Sequence, residues 1–246
     1  MPAPRPYPRP DVEPGSDRAA PASVPPPWPH GWRTVAPVLC VLAAVLIALV
    51  AVGWDPLLDV DESLARELHS FALAHPGWTK TARIFTDWVW DTWTMRALLT
   101  AAVLWMCWRA QWSAAIRLAI AGACGTAAQQ GLKAAIGRDR PQWAEPVDSA
   151  HYAAMPSGHA MSAAFVCGLL LWLLRYLRVP APLWWTAVTV AGVSVAGVSF
   201  TRIYLGVHWL TDVVVGCLLG AAIAACAGAR FRVRRRTTGK TAEGVE

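Results

Sequence analysis

Long apolar blocks set the first constraint on this chain. Residues 34–53 form an apolar run of about twenty, enough at about 1.5 Å per residue to cross the hydrocarbon core of a bilayer. Further runs cover 94–108, 114–136, 160–177, 183–200 and 209–229. The second is short unless it begins earlier, near Phe85, and the third carries Gln129, Gln130 and Lys133 in its final turns. Small residues in that third run (Gly122, Ala123, Gly125, Ala127, Ala128) suit close helix contact. The expectation is an all-α polytopic membrane protein with six transmembrane helices. Between the first two, residues 55–75 alternate Leu57, Leu58, Val60, Leu64, Leu68 and Phe71 with Asp59, Asp61, Glu62, Arg66 and Glu67. That pattern predicts an amphipathic helix lying on the membrane surface or capping the bundle. Residues 76–93 read as a polar, tryptophan-rich linker.

Composition agrees: 55% of the 246 residues are apolar and only 15% charged, with a mean hydropathy of +0.36. A net charge of +6 raises nucleic acid as a partner. The basic residues are not gathered on one soluble face, so no nucleic-acid role is expected, and loop arginines that set membrane orientation explain the excess better. All six cysteines fall inside or at the ends of apolar runs without metal-ligand spacing, and read as small buried residues. Trp54, Trp88, Trp90, Trp93, Trp108, Trp112, Trp184, Trp185 and Trp209 flank the runs, as interfacial belts do, with core packing the alternative for some of them.

Residues 1–33 are proline-rich and lack an apolar face, so a disordered cytoplasmic tail is expected there, then a six-span domain over 34–230 and a basic cytoplasmic tail over 231–246. Six spans place both termini on one side. The loops of that side hold Arg109, Arg117, Arg175 and Arg178, whereas 54–93 is acidic on balance, so the termini are expected in the cytoplasm of a plasma-membrane protein. The connections after the third and fifth spans then face outward.

Three stretches on those connections carry chemistry. In Lys133-Ala134-Ala135-Ile136-Gly137-Arg138-Asp139-Arg140-Pro141, a lysine and an arginine across a helix end can converge on one anion; Arg138, outside that pairing, reads as an anchor at the headgroups. In Met155-Pro156-Ser157-Gly158-His159, a turn leads into a helix start with free N–H groups, a hydroxyl and an imidazole: an anion site, or simply a capped helix. In Thr201-Arg202-Ile203-Tyr204-Leu205-Gly206-Val207-His208-Trp209-Leu210-Thr211-Asp212, a helix running from Val207 would make His208 and Asp212 an i, i+4 pair. The carboxylate would then hold the imidazole in one tautomer and leave its other nitrogen free to attack. A metal would want three or four convergent ligands. His151, His159, His208 and Asp212 lie amid Lys133, Arg140 and Arg202, cations that favour a phosphate instead, so neither metal nor cofactor is expected.

The order K-x6-R-P, P-S-G-H, [S/T]-R-x5-H-x3-D resembles the signature of the type 2 phosphatidic acid phosphatase (PAP2) family, which includes lipid phosphate phosphatases and bacterial undecaprenyl-pyrophosphate phosphatases and shares its signature with vanadium haloperoxidases. The resemblance implies that Lys133, Arg140 and Arg202 bind phosphate, with Ser157 and the Gly158 backbone N–H completing the cradle. It also implies His208 as nucleophile, Asp212 as its orienting partner and His159 as the acid on the leaving group. Thr201 stands where the family usually has serine; it keeps a hydroxyl, and its methyl adds bulk. The expected activity is metal-independent hydrolysis of a lipid phosphate or pyrophosphate, of isoprenyl pyrophosphate or phosphatidate type, through a phosphohistidine. Two alternatives are a lipid phosphotransferase of the same fold and a non-enzymatic anion transporter or scaffold. The latter would need charges near mid-bilayer, whereas these cluster at one end.

Overall fold

The computed structural model describes residues 32–229, so the proline-rich stretch up to residue 31 and the basic tail from residue 230 lie outside the described residues. Those residues fold as α1 (Trp32–Ala51), α2 (Asp55–Ala74), α3 (Pro76–Ile84), a π-helical turn (Phe85–Val89), α4 (Thr92–Trp108), α5 (Trp112–Ile136), α6 (Gly158–Tyr176), α7 (Ala181–Tyr204) and α8 (Leu210–Ala229). The fold is all-α. Local chemistry sets several ends. Asp91 caps α4 by accepting the Trp93 N–H at 2.7 Å. Gly137, at φ 63°, closes α5 in the left-handed conformation that a side chain disfavours.

α6 is the axis of the bundle. Met161, Phe165, Val166, Leu169 and Trp172 are buried along it, and with Met95, Leu99 and Met106 of α4 and Leu118 of α5 they form the main core. Its most extensive neighbour is α8, which in turn carries α1 on its far side. The α6–α8 contact depends on two glycines four residues apart. A Cβ on Gly216 would lie 2.8 Å from the Ser157 carbonyl oxygen, and one on Gly220 would lie 2.5 Å from that of Met161. Only a bare backbone lets the helices approach so closely, as in small-residue helix contacts inside membranes. Gly220→Leu is therefore expected to cost about 1–3 kcal/mol or more by overpacking, read as a lowered midpoint of thermal unfolding in detergent; an unchanged midpoint would refute the close contact.

α1, α6, α7 and α8 are each long and apolar enough to cross a membrane. α4 has 17 residues, and α5 carries Arg117, Gln129, Gln130 and Lys133 along its length. Apolar side chains such as Val41 of α1, Leu104 of α4, Ile120 of α5 and Val193 of α7 point outward, which suits a lipid surround and would be unfavourable in water. Trp54, Trp88 and Trp93 are exposed near one end of the bundle and Trp108, Trp112 and Trp185 near the other, as belts require. Trp90 packs inside, against Gly197.

The structure corrects several expectations. Much of the stretch read as a linker is helical, as α3 and the π turn. α7 runs on to Tyr204, so Thr201 and Arg202 lie in its last turn rather than beyond it. α2 is amphipathic, but Asp61, Ala65, His69 and Ala72 are the buried side, while Val60, Phe71 and Leu73 are exposed. Leu64 and Leu68 pack beside that side, against Ile203 and Val213.

Candidate active site

One end of the bundle gathers the start of α6, the start of α8 and the ends of α5 and α7. The Ser157 N–H donates to the Asp212 carbonyl at 2.9 Å and ties the first two together. Between α7 and α8 the chain turns through Gly206, at φ 67°. A Cβ there would lie 2.5 Å from Nε1 of Trp143, whose N–H donates to the Gly206 carbonyl at 2.8 Å. This tight turn sends His208 back under the loop of residues 137–157, where it is 1% exposed.

His208 does not lie on a helix. α8 begins at Leu210, so the i, i+4 helical face expected for His208 and Asp212 is replaced by a cap. Asp212, in the first turn, reaches back with Oδ2 to accept the N–H of Trp209 at 2.9 Å, which is the carboxylate half of a capping box. The same oxygen lies 3.4 Å from His208 Nδ1. On the other edge of the ring, an Arg140 guanidinium nitrogen lies 3.2 Å from Nε2. A guanidinium can only donate, so Nε2 is the acceptor and the proton is assigned to Nδ1, facing Asp212. Burial, then the nearby Arg140, Arg202 and Lys133 cations, hold the His208 pKa well below its ordinary 6.5. The ring is neutral at pH 7, with an unprotonated Nε2 whose lone pair accepts from Arg140.

The three expected cations converge on this nitrogen. Arg140 donates to the carbonyls of Val207 at 2.6 Å, Tyr152 at 2.9 Å and His151 at 3.1 Å. Lys133 donates to the Ala153 carbonyl at 2.6 Å. These partners are neutral, so the charges are positioned without being cancelled. Burial and Arg202 lower the Arg140 pKa to about 10, which leaves it cationic near neutrality. Arg202 is 3% exposed; it contacts Thr86 Oγ1 at 3.3 Å and Asp148 at 3.7 Å, and its Nε has no partner. Ser157 Oγ, fully buried, has none either. Unsatisfied buried donors are costly, and both of these are open to an acceptor. Gly158 opens α6 where a Cβ would lie 2.6 Å from the Gln129 amide. His159 Nε2 lies 3.6 Å from an Asp91 oxygen. All eight residues selected from the sequence meet here. Among the described residues, no three His, Cys, Asp or Glu side chains group as metal ligands would.

Two other expectations change. Arg138 is not a headgroup anchor: its side chain is 12% exposed and bridges Asp61 at 2.8 Å and Asp212 at 2.7 Å. The Thr201 hydroxyl donates to the Val198 carbonyl of its own helix at 3.0 Å. Its side chain lines an apolar cavity of about 530 Å³ with Phe71, Trp78, Phe85, Phe200 and Tyr204. Sequence reasoning missed Asp61, Asp91 and Asp148 as neighbours of the site. Asp91 had a signal, a helix-capping residue before an apolar run; Asp61 was hidden in an acidic helical face, and Asp148 sits in an irregular loop.

Residues 110–236, just over half of the chain, match the sequence model of the PAP2 superfamily. The chain belongs to the PAP2 superfamily. Over 90 residues it is 38% identical to phosphatidylglycerophosphatase B of Bacillus subtilis (strain 168), an overlap of 36% of this chain and 44% of that protein. The match thus spans less than half of that relative's length. The crystal structure of a transmembrane PAP2-type phosphatidylglycerolphosphate phosphatase from Bacillus subtilis superposes with a TM-score of 0.67 at 24% identity. The alignment covers 78% of this chain and 94% of that one, so the two share a fold. Within the PAP2 superfamily, then, this chain is a multi-pass membrane protein. Asp61, Thr86 and Asp91 all precede the matched segment.

Proposed function

We propose that this protein is an integral-membrane lipid phosphatase that hydrolyses a phosphate monoester or pyrophosphate through a phosphohistidine on His208. The observation that carries the reading is the unprotonated Nε2 of a buried, neutral His208, backed by Asp212 and held by Arg140, with Lys133 and Arg202 near it. Phosphorus bound in the cradle would receive the Nε2 lone pair while the bond to the leaving oxygen breaks in line, and His159 would give that oxygen its proton. Water, losing a proton to His159, would then attack the phosphohistidine, release inorganic phosphate and restore Nε2. Lys133, Arg140, Arg202, the Ser157 hydroxyl and the Gly158 N–H would meet the charge on the remaining oxygens. Three fixed cations take the part that a metal takes elsewhere, so the reaction needs none.

An amphiphilic substrate fits the surroundings. The aromatic cavity beside Thr201 adjoins the helix turn that carries Arg202 and could receive part of an apolar tail. The named activity of the Bacillus subtilis relative makes a phosphatidylglycerol phosphate one candidate, alongside phosphatidate and isoprenyl pyrophosphates. α4 and α5 complete six crossings of the plasma membrane, residues 34–230 form the catalytic domain, and both tails are cytoplasmic. Arg109, Arg117, Arg175 and Arg178 lie toward the end opposite the site, which supports an orientation with the site outside the cell.

Phosphate release from a detergent-solubilised panel of phosphatidate, phosphatidylglycerol phosphate and undecaprenyl pyrophosphate tests the reading. At least one should be turned over, at a rate unchanged by excess EDTA. Loss of activity in EDTA, restored by a divalent ion, would sink the metal-free mechanism; no release from any of the three would sink the hydrolase. Sealed right-side-out vesicles should hydrolyse added lipid without permeabilisation, and a requirement for permeabilisation would reverse the orientation.

A further inference from the structure

Asp212 serves a second set of partners through its other oxygen. Its Oδ2 serves the Trp209 N–H and His208, while Oδ1 accepts from Arg138 at 2.7 Å. The other arm of that guanidinium donates to Asp61 at 2.8 Å. Asp61 comes from α2, 150 residues away in sequence, and also accepts the Thr211 N–H at 2.9 Å, capping α8 from outside. Thr211 Oγ1 closes the network: it donates to Asp61 and accepts from Arg138 at 2.6 Å. Asp61 and Asp212 are 2% and 0% exposed, and Arg138 is further held over the Trp209 ring at 5.5 Å.

We propose that Asp61 and Arg138 are positioning residues for the His208–Asp212 pair. They act in two ways. Geometrically, the Arg138 fork fixes the Asp212 carboxylate so that Oδ2 stays on Nδ1 and Nε2 stays aimed at the cradle. Electrostatically, Arg138 alone would cancel the Asp212 charge, and a neutral pair does little for a ring that becomes cationic when Nε2 bonds to phosphorus. Asp61 on the far arm restores a net charge of one negative unit to the three-group chain, to be balanced only as the positive charge develops. Neither residue touches the phosphate cradle.

The proposal rests on the hydrolase reading and is tested beside it. Asp61→Asn and Arg138→Lys are prepared as full-length proteins, alone and combined with Asp212→Asn. Turnover is measured on dioctanoylphosphatidate, and orthovanadate inhibition reports an intact phosphate cradle. Asp61→Asn should lower kcat roughly 10- to 100-fold while KM and the vanadate constant stay within about threefold. In the Asp212→Asn background the same change should have almost no further effect, because the link it removes is already broken. The His208 Nδ1 proton, assigned by its disappearance in His208→Ala, should move upfield in the Asp61→Asn NMR spectrum. Full additivity with Asp212→Asn, vanadate binding that weakens in step with kcat, or an unmoved Nδ1 proton would overturn the proposal. If the unaltered protein and Asp212→Asn hydrolyse equally well, the His208 mechanism fails instead. The Nδ1 proton still decides the positioning role in that case.

Discussion

His208→Ala is expected to lower phosphate release by at least about 10⁴-fold, with KM little changed in whatever activity remains. The size follows from what is removed. His208 supplies the electron pair that forms the new bond to phosphorus, and no neighbouring side chain can take its place: Lys133, Arg140 and Arg202 are cations, and His159 is engaged near Asp91. Adding imidazole in solution should restore little, because the ring is 1% exposed and enclosed by the turn at Gly206. Rapid quench of the unaltered protein with a labelled lipid phosphate should trap an acid-labile, base-stable phosphoprotein that is missing from the variant. An alanine variant retaining even a tenth of the normal rate would remove His208 from the role of nucleophile.

Arg140→Ala should follow, with a loss in kcat/KM of roughly 10³-fold. One guanidinium does three things here. It places positive charge against Nε2, fixes the carbonyls of residues 151 and 152, and holds the Val207 carbonyl next to the nucleophile. Arg140→Lys keeps the charge but loses the planar fork, so it should recover only part of the loss. Steady-state kinetics separates the contributions. A lysine variant with restored KM but low kcat would mean that the fork aims His208, whereas recovery of both would mean that charge is the dominant effect. A change smaller than fivefold in the alanine variant would show that Arg140 does not bind the phosphate.

Much of this site was legible because its residues sit at short, regular distances within three stretches. Lys133 and Arg140 straddle one helix end, Ser157 to His159 open the next, and Arg202 to Asp212 span a single turn. Such spacing survives without knowledge of how helices pack. The reading failed where packing decided the matter. Arg138 looked like an anchor because it lies outside the Lys133 and Arg140 pairing; its partners are Asp61, 77 residues earlier, and Asp212, 74 residues later. α2 was recognised as amphipathic, but sequence does not say which of its apolar residues pack: Leu64 and Leu68 lie against the bundle while Val60 and Phe71 point outward. Thr201 showed the opposite limit. It reads from the sequence only as a threonine in place of a serine, and the extra turn of α7 directs its hydroxyl to its own backbone.

The alternation of up and down helices has an electrostatic consequence. α5 and α7 arrive at the site with their negative dipole ends, and each ends on a cation, Lys133 and Arg202. α6 and α8 leave it with their positive ends, and Asp212 occupies the first turn of α8. Three of the four helix ends are thus matched by a side chain of opposite sign, as helix dipoles favour. The start of α6 is not: Ser157 makes no capping bond to it. An anion is the complement still owed at that position, and its charge would complete a pattern set by the direction of the helices.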